Sequence, residues 1–226
     1  MADMYGLVQQ DGAARTSADG GKQQWRMLRG GEGIVVPWIQ ALILEGLGFS
    51  TQFGAADLED TDPGSFSSAA ADFDEFDMLV TLPSSGALGL IPIYFKPVFE
   101  AIGTIAAVDV VLIHGTSGVI GANPLTPTLK NMKPSHANTS GCTISALGDD
   151  GGTVMVCTGY IYREGGTHLT GVAGTGQTLM PEWSIGKAGH APVVSGASRQ
   201  VGAFLSAQGG TGYIHYQQIE MAAAYL

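Results

Sequence analysis

Asp74-Glu75-Phe76-Asp77-Met78-Leu79-Val80-Thr81-Leu82 places Phe76, Met78, Val80 and Leu82 on one face and Glu75, Asp77 and Thr81 on the other. A period of two is the pattern of a strand with one buried face. Leu90–Glu100 continues it: Ile91, Ile93, Phe95 and Phe99 share one side, Tyr94, Lys96 and Glu100 the other. Pro92 and Pro97 cannot donate ladder hydrogen bonds, so this strand is expected at a sheet edge or with bulges. Thr104–Ile113 is apolar and β-branched on both faces, which predicts a central strand. Its odd member, Asp109, is expected at an edge or hydrogen-bonded at a subunit contact.

Downstream, Gly115–Gly141 reads as a long irregular stretch with Pro124, Pro127 and Pro134. Further strands are predicted near Cys142–Leu147, Thr153–Arg163, Leu179–Ile185, Arg199–Ser206 and Tyr213–Met221. Glycine pairs at 151–152, 165–166 and 209–210 punctuate this half of the chain. Upstream, 54–71 is an acidic, Ser/Ala-rich loop, and Ile34–Leu44 suits a strand or a short helix with Pro37 in its first turn. Residues 1–24 are polar and glycine-rich without a sustained period, so they form an extended N-terminal arm, leaving 25–226 as one β domain. Eight or nine short strands with Gly/Pro turns and no obligatory long helix give an all-β class: sandwich, jelly roll or barrel.

The composition narrows the function. Of 226 residues, 13% are charged and 34 are glycine, where ordinary proteins have about 25% charged and ~7% glycine. Charge-poor surface is easier to bury against a neighbouring subunit, because charges are depleted at interface cores. The net charge is −10, with ten basic residues against twenty acidic ones. Nucleic-acid affinity depends on clustered Lys and Arg. The grouped cations Arg15, Lys22, Arg26 and Arg29 are nearly cancelled by Asp3, Asp11 and Asp19, so direct genome contact is not expected. No secretory signal is visible, and no apolar run reaches the ~18 residues of a spanning helix.

Motifs for chemistry fail one by one. Gly171-Val-Ala-Gly-Thr-Gly176-Gln177-Thr178 is one residue short of a P-loop and has glutamine where lysine reaches the phosphates. His114, His136, His168, His190 and His215 form no HxxxH or HxH pair. Asp57–Asp62 and Asp72, Asp74, Glu75, Asp77 lack calcium-loop spacing and read as solvated acidic faces. Gly115-Thr-Ser117-Gly118-Val119 lacks the second glycine of a nucleophile elbow. Trp25, Trp38 and Trp183 could stack on sugars if exposed, but their apolar contexts suit a core or interface. No catalytic, metal or cofactor-binding residue is therefore assigned, and no enzymatic activity or cofactor is expected.

Cys142 and Cys157 flank a predicted hairpin turning at Gly148-Asp149-Asp150-Gly151-Gly152. With Asp149 and Asp150 as the loop, the two cysteines face each other; a five-residue loop puts them on opposite faces. Two buried free thiols are expected in a chain without a secretion signal.

The order of features over roughly residues 72–221 resembles the single-jelly-roll capsid and virion structural proteins of bacteriophages. The resemblance is carried by Phe73–Pro83, the apolar pair Ile91–Phe99 and Ile105–Ile113, the connection Gly121-Ala-Asn-Pro-Leu-Thr-Pro127, and the closing strand Gly212–Met221. It implies a single jelly roll of about eight strands in a homo-oligomeric icosahedral shell, located in the virion after synthesis in the host cytoplasm. Its partners would be copies of itself and other virion proteins. The near-neutral arm departs from the basic arms of many capsid proteins, so the inner face is expected against a membrane, an inner shell or solvent. A decoration or fibre protein, or a carbohydrate-binding β-sandwich, is the alternative.

Overall fold

The computed structural model describes residues 37–54, 76–101, 106–121, 124–147, 152–168, 181–206 and 211–226. The arm 1–24, the acidic loop beyond Gly54 and the glycine-rich 171–178 lie outside these.

Among the described residues, eleven strands and two short α-helices follow in the order α1 (Trp38–Leu44), β1 (Gly48–Gly54), β2 (Met78–Thr81), β3 (Leu88–Ala101), β4 (Ala106–Thr116), β5 (Lys130–Asn131), β6 (Thr143–Ala146), β7 (Val156–His168), β8 (Trp183–Ser184), α2 (Ile185–Ala188), β9 (Val194–Ser195), β10 (Arg199–Ser206) and β11 (Thr211–Ala222), with a 3-10 turn at Ala223–Tyr225. They form two antiparallel sheets. One runs β5-β1-β11-β3-β8, with β9 also on β3; the other runs β6-β2-β10-β4-β7.

The sheets pack face to face as a sandwich. Phe49, Phe53, Phe95, Phe99, Ile214 and Tyr216 from the first meet Met78, Val80, Val110, Leu112, Val201 and Leu205 from the second in the main core. Strand alternation sends the intervening side chains outward. Leu79, Val111, Ile113 and Phe204 are buried on the outer face of the second sheet beneath Phe76, Ile120 and Met155. On the outer face of the first, Ile91, Ile93 and Ile219 lie under Ile39, Leu42 and Ile43 of α1, with Met132 and Ile185 beside them. Covered on both faces, β4 is buried at Val110, Val111, Leu112 and Ile113 alike, which is why its sequence does not alternate.

The residues after β4 reach both sheets. Within 117–155, β5 pairs with β1 and β6 pairs with β2, extending the two sheets at neighbouring edges. Leu125 forms an isolated bridge with Ala146, tying the crossing segment to β6.

Several expectations need correction. Strand β1 has no counterpart in the sequence reading, whereas of the two alternatives for Ile34–Leu44 the short helix is the one found, as α1 over Trp38–Leu44 with Pro37 at its N-cap. Only Trp183–Ser184 of the expected strand Leu179–Ile185 is a strand among the described residues. The chain turns into α2 there because the Ser184 hydroxyl accepts the Lys187 amide, and Gly189 ends the helix at φ +77°.

Strand β3 lies inside its sheet, so of the two alternatives for its prolines the bulge is realised. Tyr94 pairs with Gln217 but Pro92 with Gln218, leaving Ile93 extra. That residue shifts the phase: Ile91 and Ile93 face α1, while Phe95 and Phe99 face the main core. The single shared face read from the sequence is wrong for this reason.

The cysteine hairpin is also wrong. Cys142 stands at the start of β6 and Cys157 lies in β7, strands on opposite edges of one sheet with β2, β10 and β4 between them. Four strand spacings put them on the order of 19 Å apart. Both thiols are free.

Candidate functional site

The groups most often used for chemistry are dispersed. His114 lies on β4, where its Nδ1 is 2.9 Å from Thr158 Oγ1 on β7. Burial, with Arg199 second, lowers its pKa below 6.5. His215 on β11 sits edge-on to Tyr94, with ring centroids 5.2 Å apart. Burial, then Lys96, depresses it in the same direction. His136 is in the connection after β5, His168 ends β7, and His190 follows α2. Among the described residues, no three His, Cys, Asp or Glu side chains gather as a metal group.

Asp109 is not at a sheet edge, since β4 lies between β10 and β7. Its Oδ2 accepts from Arg163 Nη2 at 2.6 Å and its Oδ1 from Nε at 3.3 Å, across the β4–β7 ladder. Asp77 is buried at 2% exposure, against the solvated position expected of it. Its Oδ2 accepts the Leu205 amide at 2.6 Å, so a side chain takes over the ladder where β2 begins. Trp183 is buried in the main core and offers no platform to a sugar.

A polar cluster lies between the sheets. Glu220 Oε1 accepts from Ser140 Oγ at 2.5 Å and Gln218 Nε2 at 2.7 Å, and Oε2 accepts the Gly141 amide at 2.8 Å. Cys142 adjoins it; burial first, then Glu220, raises its pKa far above the usual thiol range. The thiolate, the reactive form, is thereby suppressed. Three donors on one buried carboxylate tie residues 140–142 to β11, a structural clasp.

The surface offers a different feature. Val119 and Thr153 exchange backbone hydrogen bonds at 3.1 and 2.8 Å, continuing the antiparallel pairing beyond β4 and β7. Val119, Val154, Val156 and Tyr160 on these paired segments are 53–61% exposed. Residues 116–119 and 153–160 contain no charged side chain. The register spreads them over both sides of the sheet end: Tyr160 pairs with the outward Ile113, whereas Val156 pairs with Thr116 and points to the opposite face. A groove of about 710 Å³ opens elsewhere, lined by polar and apolar groups alike, among them Gln52, Phe53, Leu125, Thr126, Lys130 and His215.

No helix among the described residues is long and apolar enough to cross a membrane. No protein-family model, no curated protein and no solved structure matches the chain.

Proposed function

We propose that this chain is a virion structural protein, a capsid subunit that self-assembles through a single jelly-roll domain. The observation that carries the reading is the strand order. Setting aside β5 and β6, which lie in the stretch between β4 and β7, and β9, which lies off the path of its sheet, eight strands remain, arranged β1-β11-β3-β8 in one sheet and β2-β10-β4-β7 in the other. The first strand lies beside the last, the second beside the next to last, as when two Greek keys roll up together. The residues between β4 and β7 would then be an insertion that adds a strand to each sheet.

Jelly rolls also serve lectins and enzymes, so fold alone does not choose a function. The choice rests on the surface: a chain with net charge −10 associates with itself through charge-free area, and the uncharged segments 116–119 and 153–160, which expose Val119, Val154, Val156 and Tyr160 around one end of the β4–β7 pair, offer such area. Its occupant in this reading is a second copy of the chain. Val156→Asp and Tyr160→Asp should leave the thermal melt within about 0.5 kcal/mol of the parent, as exposed positions do, and should shift sedimentation from large species to single subunits. Wild-type protein sedimenting as a monomer throughout a salt and pH series would overturn the proposal; discrete small oligomers would favour a decoration or fibre protein.

A further inference from the structure

We infer that one ordered water is an integral part of the sandwich core, bridging Tyr216 Oη and Gln218 Oε1 beside the Glu220 clasp. Tyr216, Gln218 and Glu220 are all buried on β11, and Ile219 faces outward between the last two. Tyr216 and Gln218 have no exposed surface, yet Tyr216 Oη and Gln218 Oε1 are buried without a hydrogen-bond partner. Gln218 Nε2 donates to Glu220 Oε1, which fixes the amide, because the reverse orientation would set two oxygens against each other. Gln218 Oε1 must therefore accept.

The two unpartnered atoms call for complementary partners. A phenol needs an acceptor for its hydrogen and the amide oxygen needs a donor. Water supplies both roles at once, and buried waters characteristically satisfy such orphaned groups with two to four contacts. A cation is the poorer occupant: Glu220, the available charge, already accepts three hydrogen bonds. Tyr216 is held by its environment in the neutral form that donates; burial first, then Cys142 and Glu220, raises its pKa well above 10.0. The inference does not depend on the capsid reading, since it concerns the folded subunit.

The test is a high-resolution crystal structure of the full chain, paired with Tyr216→Phe, Gln218→Leu and the double variant. A density peak within hydrogen-bond distance of both Tyr216 Oη and Gln218 Oε1, absent in the variants that fold, is the expected result. Tyr216 Oη bonded directly to Gln218 Oε1 or to another protein acceptor, with no peak between, would overturn the inference. So would a peak with the contacts and electron content of a metal ion. If the variants do not fold, the parent structure still decides.

Discussion

Glu220 shows how much a single buried carboxylate organises here. It holds the Ser140 hydroxyl, the Gly141 amide and the Gln218 side chain at once. Glu220→Ala would leave three donors unsatisfied, each costing roughly 1–3 kcal/mol when buried, so a net loss of about 3 kcal/mol is expected after relaxation. Urea titration reads it; a loss below about 1 kcal/mol would mean that the clasp is not a unit. The cysteines differ at the same scale. Cys142 is buried and its thiol suppressed, whereas Cys157 is partly exposed on β7. A thiol reagent should label Cys157 in the native protein and Cys142 only on unfolding, and equal labelling rates would contradict these placements. Neither role was legible in the sequence. Glu220 reads there as the polar member of an alternating strand, and the donors that occupy it come from residues 140–141, some eighty positions away.

Among the elements, the long strands were plain and the short ones were not. Arg199–Ser206 has the bounds expected of it, Thr211–Ala222 extends Tyr213–Met221 at both ends, and Ala106–Thr116 runs past the expected end at Ile113, with Thr104 and Ile105 outside the described residues. β1 was missed because Phe49 and Phe53 are four apart, a spacing that a helix and a strand share. Its burial comes from β11, with Phe49 paired to Gln218 and Phe53 to Ile214. The cysteine hairpin failed for a related reason: turn residues between two strands suggest neighbours, but β6 pairs with β2 and β7 with β4, at opposite edges of the sheet. Glycine marks where strands crowd most. A Cβ on Gly115 would stand 2.3 Å from the Val156 carbonyl oxygen, a backbone atom that cannot step aside, whereas one on Gly189 meets nothing within 4 Å. Gly115→Ala should therefore cost at least ~2 kcal/mol, from overpacking. Gly189→Ala should cost about 1 kcal/mol, for its left-handed backbone alone. Chemical denaturation of the two variants checks the order; the reverse order would show the β4–β7 bulge to be misplaced.

For the whole molecule, the all-β class and the two-sheet packing follow from the alternation that begins at Phe76. The strand order does not, because it depends on long-range pairings such as β1 with β11, which join the two ends of the described chain. The uncharged end of the β4–β7 pair, which exposes Val119, Val154, Val156 and Tyr160 over its two faces, likewise exists only once those strands meet. Its lack of charge matters in a chain of net charge −10, since copies otherwise repel at low ionic strength. The central claim is that such subunits close into a shell. Electron microscopy of the gently purified full-length protein tests it most directly: closed particles of uniform diameter are the predicted result, and a field of separate subunits under every salt and pH condition would contradict the account.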